Sequence, residues 1–153
     1  MKAISDFADH QESPIIDGII FPDGTIQLFD FELKRQRPYA INIGTKTSID
    51  KLEQEGELHW SSCCIMTTLN YFEYSIKVIA GEATSWGEDG FVAVIDSQTG
   101  KLIWLAFFTC SNPFNFIEII GEEVHVRSTL ECVWKFKLKN PVDFSVTCSE
   151  FNY

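Results

Sequence analysis

The chain is predicted to be mainly β, a β-sandwich or a strongly curved antiparallel sheet carrying one or two short helices. Three observations predict this. Its apolar residues are dominated by flat, rigid side chains, thirteen Phe, four Trp and four Tyr against two Met, and such side chains suit pleated surfaces better than helices. Apolar and polar residues alternate with period two in several stretches. Turn-forming clusters recur at short intervals, as they do in antiparallel folds.

The 153 residues are expected to form a single domain, with residues 1–13 a polar segment that is either frayed or a short helix. Residues 15–21 and 25–33 flank Pro22, Asp23 and Gly24, a hairpin turn in which Pro presets φ and Gly accepts positive φ. Along the second arm the apolar phase moves from Ile26 and Leu28 to Phe29, Phe31 and Leu33, the slip that a β-bulge produces. A polar connection, 34–38, leads to a short strand at 39–43. A helix is expected over 48–55, with Thr47 or Ser48 as cap, Asp50 in the first turn and Gly56 as terminator.

Residues 58–66 are apolar without clear period and are read as strand. Phe72, Tyr74, Ile76 and Val78 alternate with Glu73, Ser75 and Lys77, which describes a half-buried strand. Residues 82–90 form a loop carrying Trp86. Residues 91–95 and 102–109 are apolar on both faces, as in strands covered from both sides, and Gly100 closes the turn between them. A further hairpin spans 116–120 and 124–128 around Gly121. Trp134, Phe136 and Leu138 alternate with Lys135, Lys137 and Lys139, giving a strand with a solvated lysine face. Pro141 is expected to end it, and 143–148 makes a last short strand.

A net charge of -10 disfavours nucleic acid, whose binding requires cations to displace counterions. The one tight basic cluster is Lys34, Arg35 and Arg37. An acidic surface speeds encounter with a basic protein, and many nucleases are basic. The five Cys residues (63, 64, 110, 132 and 148) are odd in number and irregularly spaced, which argues against a disulfide framework and for free, buried thiols. With no CxxC, HxH or HxxxH pattern, neither a metal nor a cofactor is expected. Residues 1–12 carry no apolar run, and the longest apolar stretch, 102–108, is too short to span a bilayer. The expected compartment is the cytoplasm, with no membrane partner.

Two sets of residues are candidates for function. His59 and Cys63 share a face if 58–66 is a strand, so a Cys–His nucleophilic pair is one reading and makes the chain a small cysteine-dependent hydrolase. The other is a partner-binding surface built from carboxylates and an aromatic anchor: Glu53, Glu55 and Glu57, then Trp86, Glu88 and Asp89, then Glu122 and Glu123. A ligand-binding β-sandwich is a third reading, and its mark is a large apolar pocket.

Residues 90–104 (GFVAVIDSQTGKLIW), 111–114 (SNPF) and 133–136 (VWKF) together resemble small acidic bacterial immunity proteins of polymorphic or contact-dependent growth-inhibition toxin systems. The likeness covers about a third of the chain, and it equally suits a single blade of a quinoprotein-like propeller. It implies a non-enzymatic, cytosolic protein, monomeric in its complex. Its partner is a cognate protein toxin whose active site it blocks, a basic nuclease in the reading that the charge favours. The resemblance transfers no residue roles.

Overall fold

The computed structural model describes residues 3–83 and 87–149. A 3-10 turn, Ile4–Asp6, runs into helix α1 (Phe7–His10), then β1 (Glu12–Pro14), β2 (Gly18–Ile20), β3 (Thr25–Phe31) and β4 (Ile41–Ser48). Helix α2 (Ile49–Gln54) precedes β5 (Trp60–Ser62), β6 (Cys64–Tyr71), β7 (Ile76–Glu82), β8 (Gly90–Asp96) and β9 (Leu102–Phe108). The chain continues with β10 (Phe114–Ile120), β11 (Glu123–Ser128), β12 (Cys132–Lys137) and β13 (Asn140–Cys148). Three sheets result, all antiparallel in their pairing: a seven-stranded sheet β4-β3-β2-β9-β8-β7-β6, a four-stranded sheet β10-β11-β12-β13 and a ribbon β1-β5. The mainly β expectation holds.

The layering follows from the two apolar faces of β8 and β9. Val92, Val94, Trp104, Ala106 and Phe108 face the four-stranded sheet and pack on Phe114, Val124, Val126, Trp134 and Phe136. Phe91, Ala93, Ile95, Leu105 and Phe107 face the opposite way, into a second core closed by Ile4, Phe7, Ile49 and the ribbon. The N-terminal segment is thus a short helical turn held by Phe7, which is fully buried against Phe91 with ring centroids 5.9 Å apart. Aromatic rings fill the space between the sheets. Trp134 stands 4.6 Å from Phe108, 5.4 Å from Tyr39 and 5.7 Å from Phe114. Its indole N–H is buried without a hydrogen-bond acceptor, a cost of about 1–3 kcal/mol that the surrounding ring packing offsets.

Local chemistry sets several elements as expected. Gly24 takes φ 90° in the β2–β3 turn, and the Asp23 carboxylate accepts from the Thr25 amide and hydroxyl. The bulge expected along β3 is instead in its neighbour: Gly44 and Thr45 of β4 stand opposite Leu28, and the change of apolar phase along β3 arises because Ile26 and Leu28 face one core and Phe29 and Phe31 the other. The buried Gln27 amide fills the bulge, donating to the carbonyls of Leu28 and Gly44. Ser48 caps α2 through its hydroxyl, which accepts from the Lys51 amide. Gly56 at φ 70° ends it, with the Glu57 amide reaching the Leu52 carbonyl and the Gly56 amide that of Glu53, a Schellman closure.

Other boundaries differ. The strand expected at 39–43 runs Ile41–Ser48, and the apolar 58–66 stretch divides into β5 and β6. Residues Phe72–Tyr74 are a 3-10 turn, and Ser75 is left-handed at φ 52°, so Phe72 lies outside the core at 88% exposure. The chain must reverse there to pair β6 with β7, and alternation alone cannot show that. Pro141 sits inside β13, which starts at Asn140. The reading of five free thiols also fails: Cys132 and Cys148 form a disulfide. They are direct cross-strand partners of β12 and β13, a register invisible in their sequence spacing. Cys63, Cys64 and Cys110 are free.

Two measurements check these constraints. A Cβ at Gly81 would stand 2.0 Å from the Cys64 carbonyl oxygen, because β6 is irregular between Ile65 and Thr67. Gly81→Ala is therefore expected to cost about 3 kcal/mol in urea unfolding, in the manner of an overpacked site. Reducing the Cys132–Cys148 bond, which closes a loop of sequence separation 16, should lower stability by about 3 kcal/mol. An unfolding midpoint unmoved by reductant would contradict that.

Candidate functional site

One end of the sandwich opens into an apolar cleft of about 560 Å³. Its floor is Ile76 at the start of β7 with Ile103 and Trp104 at the start of β9; its walls are Phe21, Tyr74, Leu138 and Pro141. Main-chain geometry fixes the frame. The Trp104 indole N–H donates to the Leu138 carbonyl at 2.9 Å, and the Leu138 amide donates to the Glu122 carbonyl at 2.8 Å. The Tyr74 hydroxyl reaches the Gly121 carbonyl at 3.3 Å. These bonds tie the β10–β11 turn, the β12–β13 turn and the β6–β7 turn to a common floor whose indole N–H is already satisfied.

Close in sequence to the lining are exposed apolar groups: Phe72, 88% exposed, stands in the same 3-10 turn as the partly exposed Tyr74, and Ile120, 51% exposed, ends β10 just before Glu122. Glu122 and Lys139 are the charged residues among the lining, with Lys139 Nζ 3.8 Å from Glu122 Oε1. The Glu123 carboxylate accepts from His125 Nε2–H at 3.0 Å. Glu73 accepts from the Tyr71 hydroxyl, and Lys137 pairs with Asp143 at 2.5 Å.

The expected carboxylate clusters do not converge on one face. Glu53, Glu55 and Glu57 lie at the end of α2, on the side of the seven-stranded sheet away from the four-stranded one, and Glu53 accepts from the Trp60 indole at 3.3 Å. Glu88 is at the opposite end of the sandwich from Glu122, paired with Arg35 at 3.2 Å. Asp89 departs from its expected role as a partner contact: it is 3% exposed and accepts from the Ala83 amide at 3.0 Å, so it holds its own loop. Trp86 lies outside the described residues. Of the expected contacts among the described residues, Glu122 alone lines the cleft, with Glu123 next to it in the chain.

The basic cluster also meets counter-charges. Lys34 reaches the Asp17 carboxylate at 3.0 Å and the Thr109 hydroxyl at 2.9 Å. With Arg35 and Glu88 it lines a polar groove of about 460 Å³. Tyr39, whose hydroxyl donates to the Cys110 carbonyl, has its phenol pushed up to about 12, chiefly by burial.

The Cys–His pair is not assembled. His59 is exposed and no hydrogen bond joins its ring to Cys63 among the described residues. Burial, then the charges of Asp89 and Cys64, pushes the Cys63 thiol up to about 12. Burial does the same to Cys110. At neutral pH a thiol of that kind is ionised to the order of 10⁻⁵. Among the described residues no three His, Cys, Asp or Glu side chains gather as a metal site requires, and no helix is long and apolar enough to cross a membrane.

The cleft went unread in the sequence because its residues come from five separate segments; the one local signal was a polar-flanked aromatic pair, Phe72 and Tyr74, beside Glu73. Alkylation of the folded protein at pH 7.5 is expected to label exposed Cys64 first, with Cys63 and Cys110 reacting only after denaturation; rapid labelling of Cys63 would reinstate the nucleophile. In comparisons with known proteins, no family model matches the chain and no curated protein matches it.

Proposed function

We propose that the protein is an immunity protein: it binds a cognate bacterial toxin domain, a basic nuclease in the favoured case, and blocks the toxin's active site without catalysing a reaction. The observation that carries this reading is the end of the sandwich where Glu122 and Tyr74 line an apolar cleft, with exposed Phe72 in the same turn as Tyr74 and exposed Ile120 at the end of β10. An exposed apolar patch rimmed by charge is what protein recognition uses, and the net charge of -10 favours a cationic partner. The raised Cys63 thiol weighs against the hydrolase reading. The apolar lining of the cleft supports a second reading, a ligand-binding β-sandwich.

The experiment is to read the neighbouring upstream reading frame and, where it encodes a secreted protein, to co-express that protein's C-terminal domain with this chain, followed by size-exclusion chromatography and association kinetics; an upstream frame of any other kind counts against the reading. A one-to-one complex is expected, with association slowing as salt rises. The double variant Glu122→Lys, Glu123→Lys should slow association by roughly tenfold. Absence of a complex with the unaltered chain would defeat the immunity reading. An association rate indifferent to salt and to the double variant would remove the electrostatic steering.

A further inference from the structure

We infer that a second groove, between the open margins β4 and β13 of the two sheets, binds an amphiphilic monoanion, a medium-chain carboxylate whose head group pairs with Lys46. The inference stands apart from the immunity reading and from the cleft over Trp104. The groove holds about 500 Å³, a volume typical of small-molecule sites. Its apolar walls are Phe21, Ile26 and Ile43 on one side and Val142 of β13 on the other. Ile43 is 65% exposed, so a hydrocarbon chain lying in the groove would cover an apolar side chain that otherwise stands in water. Lys46 is the one charged residue of the lining, and among the described residues it has no carboxylate partner.

The bulge of β4 aims that lysine. In a regular strand residues 43 and 46 point to opposite faces. Because Gly44 and Thr45 together oppose Leu28, Ile43 stands opposite Phe29 and Lys46 opposite Gln27, and residues directly opposite share a face. That face looks toward β13, where Phe29 meets Phe144 with ring centroids 4.8 Å apart. The buried Gln27 amide fixes the bulge by donating to the Gly44 carbonyl at 3.0 Å. Re-aiming a side chain is what bulges do beside functional sites. Each part of the lining then selects one part of the ligand. The walls take a hydrocarbon chain, and an ammonium with no counter-charge takes a carboxylate. A phosphate would leave the walls in water, and a neutral alcohol would leave Lys46 unpaired. An added peptide strand meets the same bulge, which breaks the ladder it would have to match. The net charge of -10 repels an anion at long range, but physiological salt screens charges farther apart than about 8 Å, whereas Lys46 acts at contact.

The test titrates the isotope-labelled chain with octanoate, octanol and octylammonium, all below their micellar concentrations. Octanoate should shift the Ile43, Lys46 and Val142 amides saturably and bind about threefold tighter than octanol, with octylammonium weakest. Lys46→Met keeps the apolar stem and removes the charge, so it should erase the preference for octanoate and leave octanol binding as it was. Lys46→Glu should make octylammonium the tightest of the three. If Lys46→Met does not fold, Lys46→Gln serves in its place. Shifts confined to Trp104, Ile103 and Leu138 would put the ligand in the other cleft and overturn the inference. Equal affinity for octanoate and octanol, a preference that survives loss of the lysine charge, or no saturable shift at all would overturn it as well.

Discussion

Strands β8 and β9 are covered on both faces, and the rest of the architecture is a response to that condition. A hairpin whose residues from Phe91 to Ile95 and Leu105 to Phe108 are all buried cannot form the outer layer of a two-layer sandwich. One face requires the four-stranded sheet, and the other requires α1, α2 and the β1–β5 ribbon. Burial on this scale is the main favourable contribution to folding. It also explains why small elements with little intrinsic stability persist: a four-residue helix is far below the length that survives alone, yet Phe7 fixes it over Phe91.

The same condition places the cleft. Between the sheets the space is filled by Trp134, Phe108, Phe136 and Phe144, whose rings touch one another. Toward the start of β9 this filling ends at Trp104, and the strands continue into turns that no side chain bridges completely. The opening is therefore where aromatic packing stops, held in shape by main-chain bonds instead of by bulk. Rigidity of this kind suits recognition, since a preformed site spends less conformational entropy on binding.

How far the sequence was legible depended on whether a feature was local. The Pro22–Gly24 turn, the Ser48 cap with its Gly56 closure and the two-faced strands are each written within about ten residues, and each is present. Features set by pairing were not legible. The reversal at Phe72–Tyr74 uses Ser75 in a left-handed conformation where neither Gly nor Pro marks the place. The Cys132–Cys148 bond depends on which residues β12 and β13 set opposite one another. The scatter of the carboxylates over separate surfaces follows from topology, and among the described ones Glu122 lines the cleft. Asp89 looked like surface charge in the sequence, but its carboxylate is buried and accepts from the Ala83 amide across the loop.

The bulge in the outermost strand of the large sheet has a bearing on how the molecule behaves in a crowd. Strand β4 has one hydrogen-bonded neighbour and shows Ile43 to solvent, the profile of a template on which other chains accumulate. Its two-residue step opposite Leu28, stapled by the Gln27 amide, bends the strand and breaks the repeat that an incoming ladder must match. The large sheet thus keeps one of its two open margins from indiscriminate stacking.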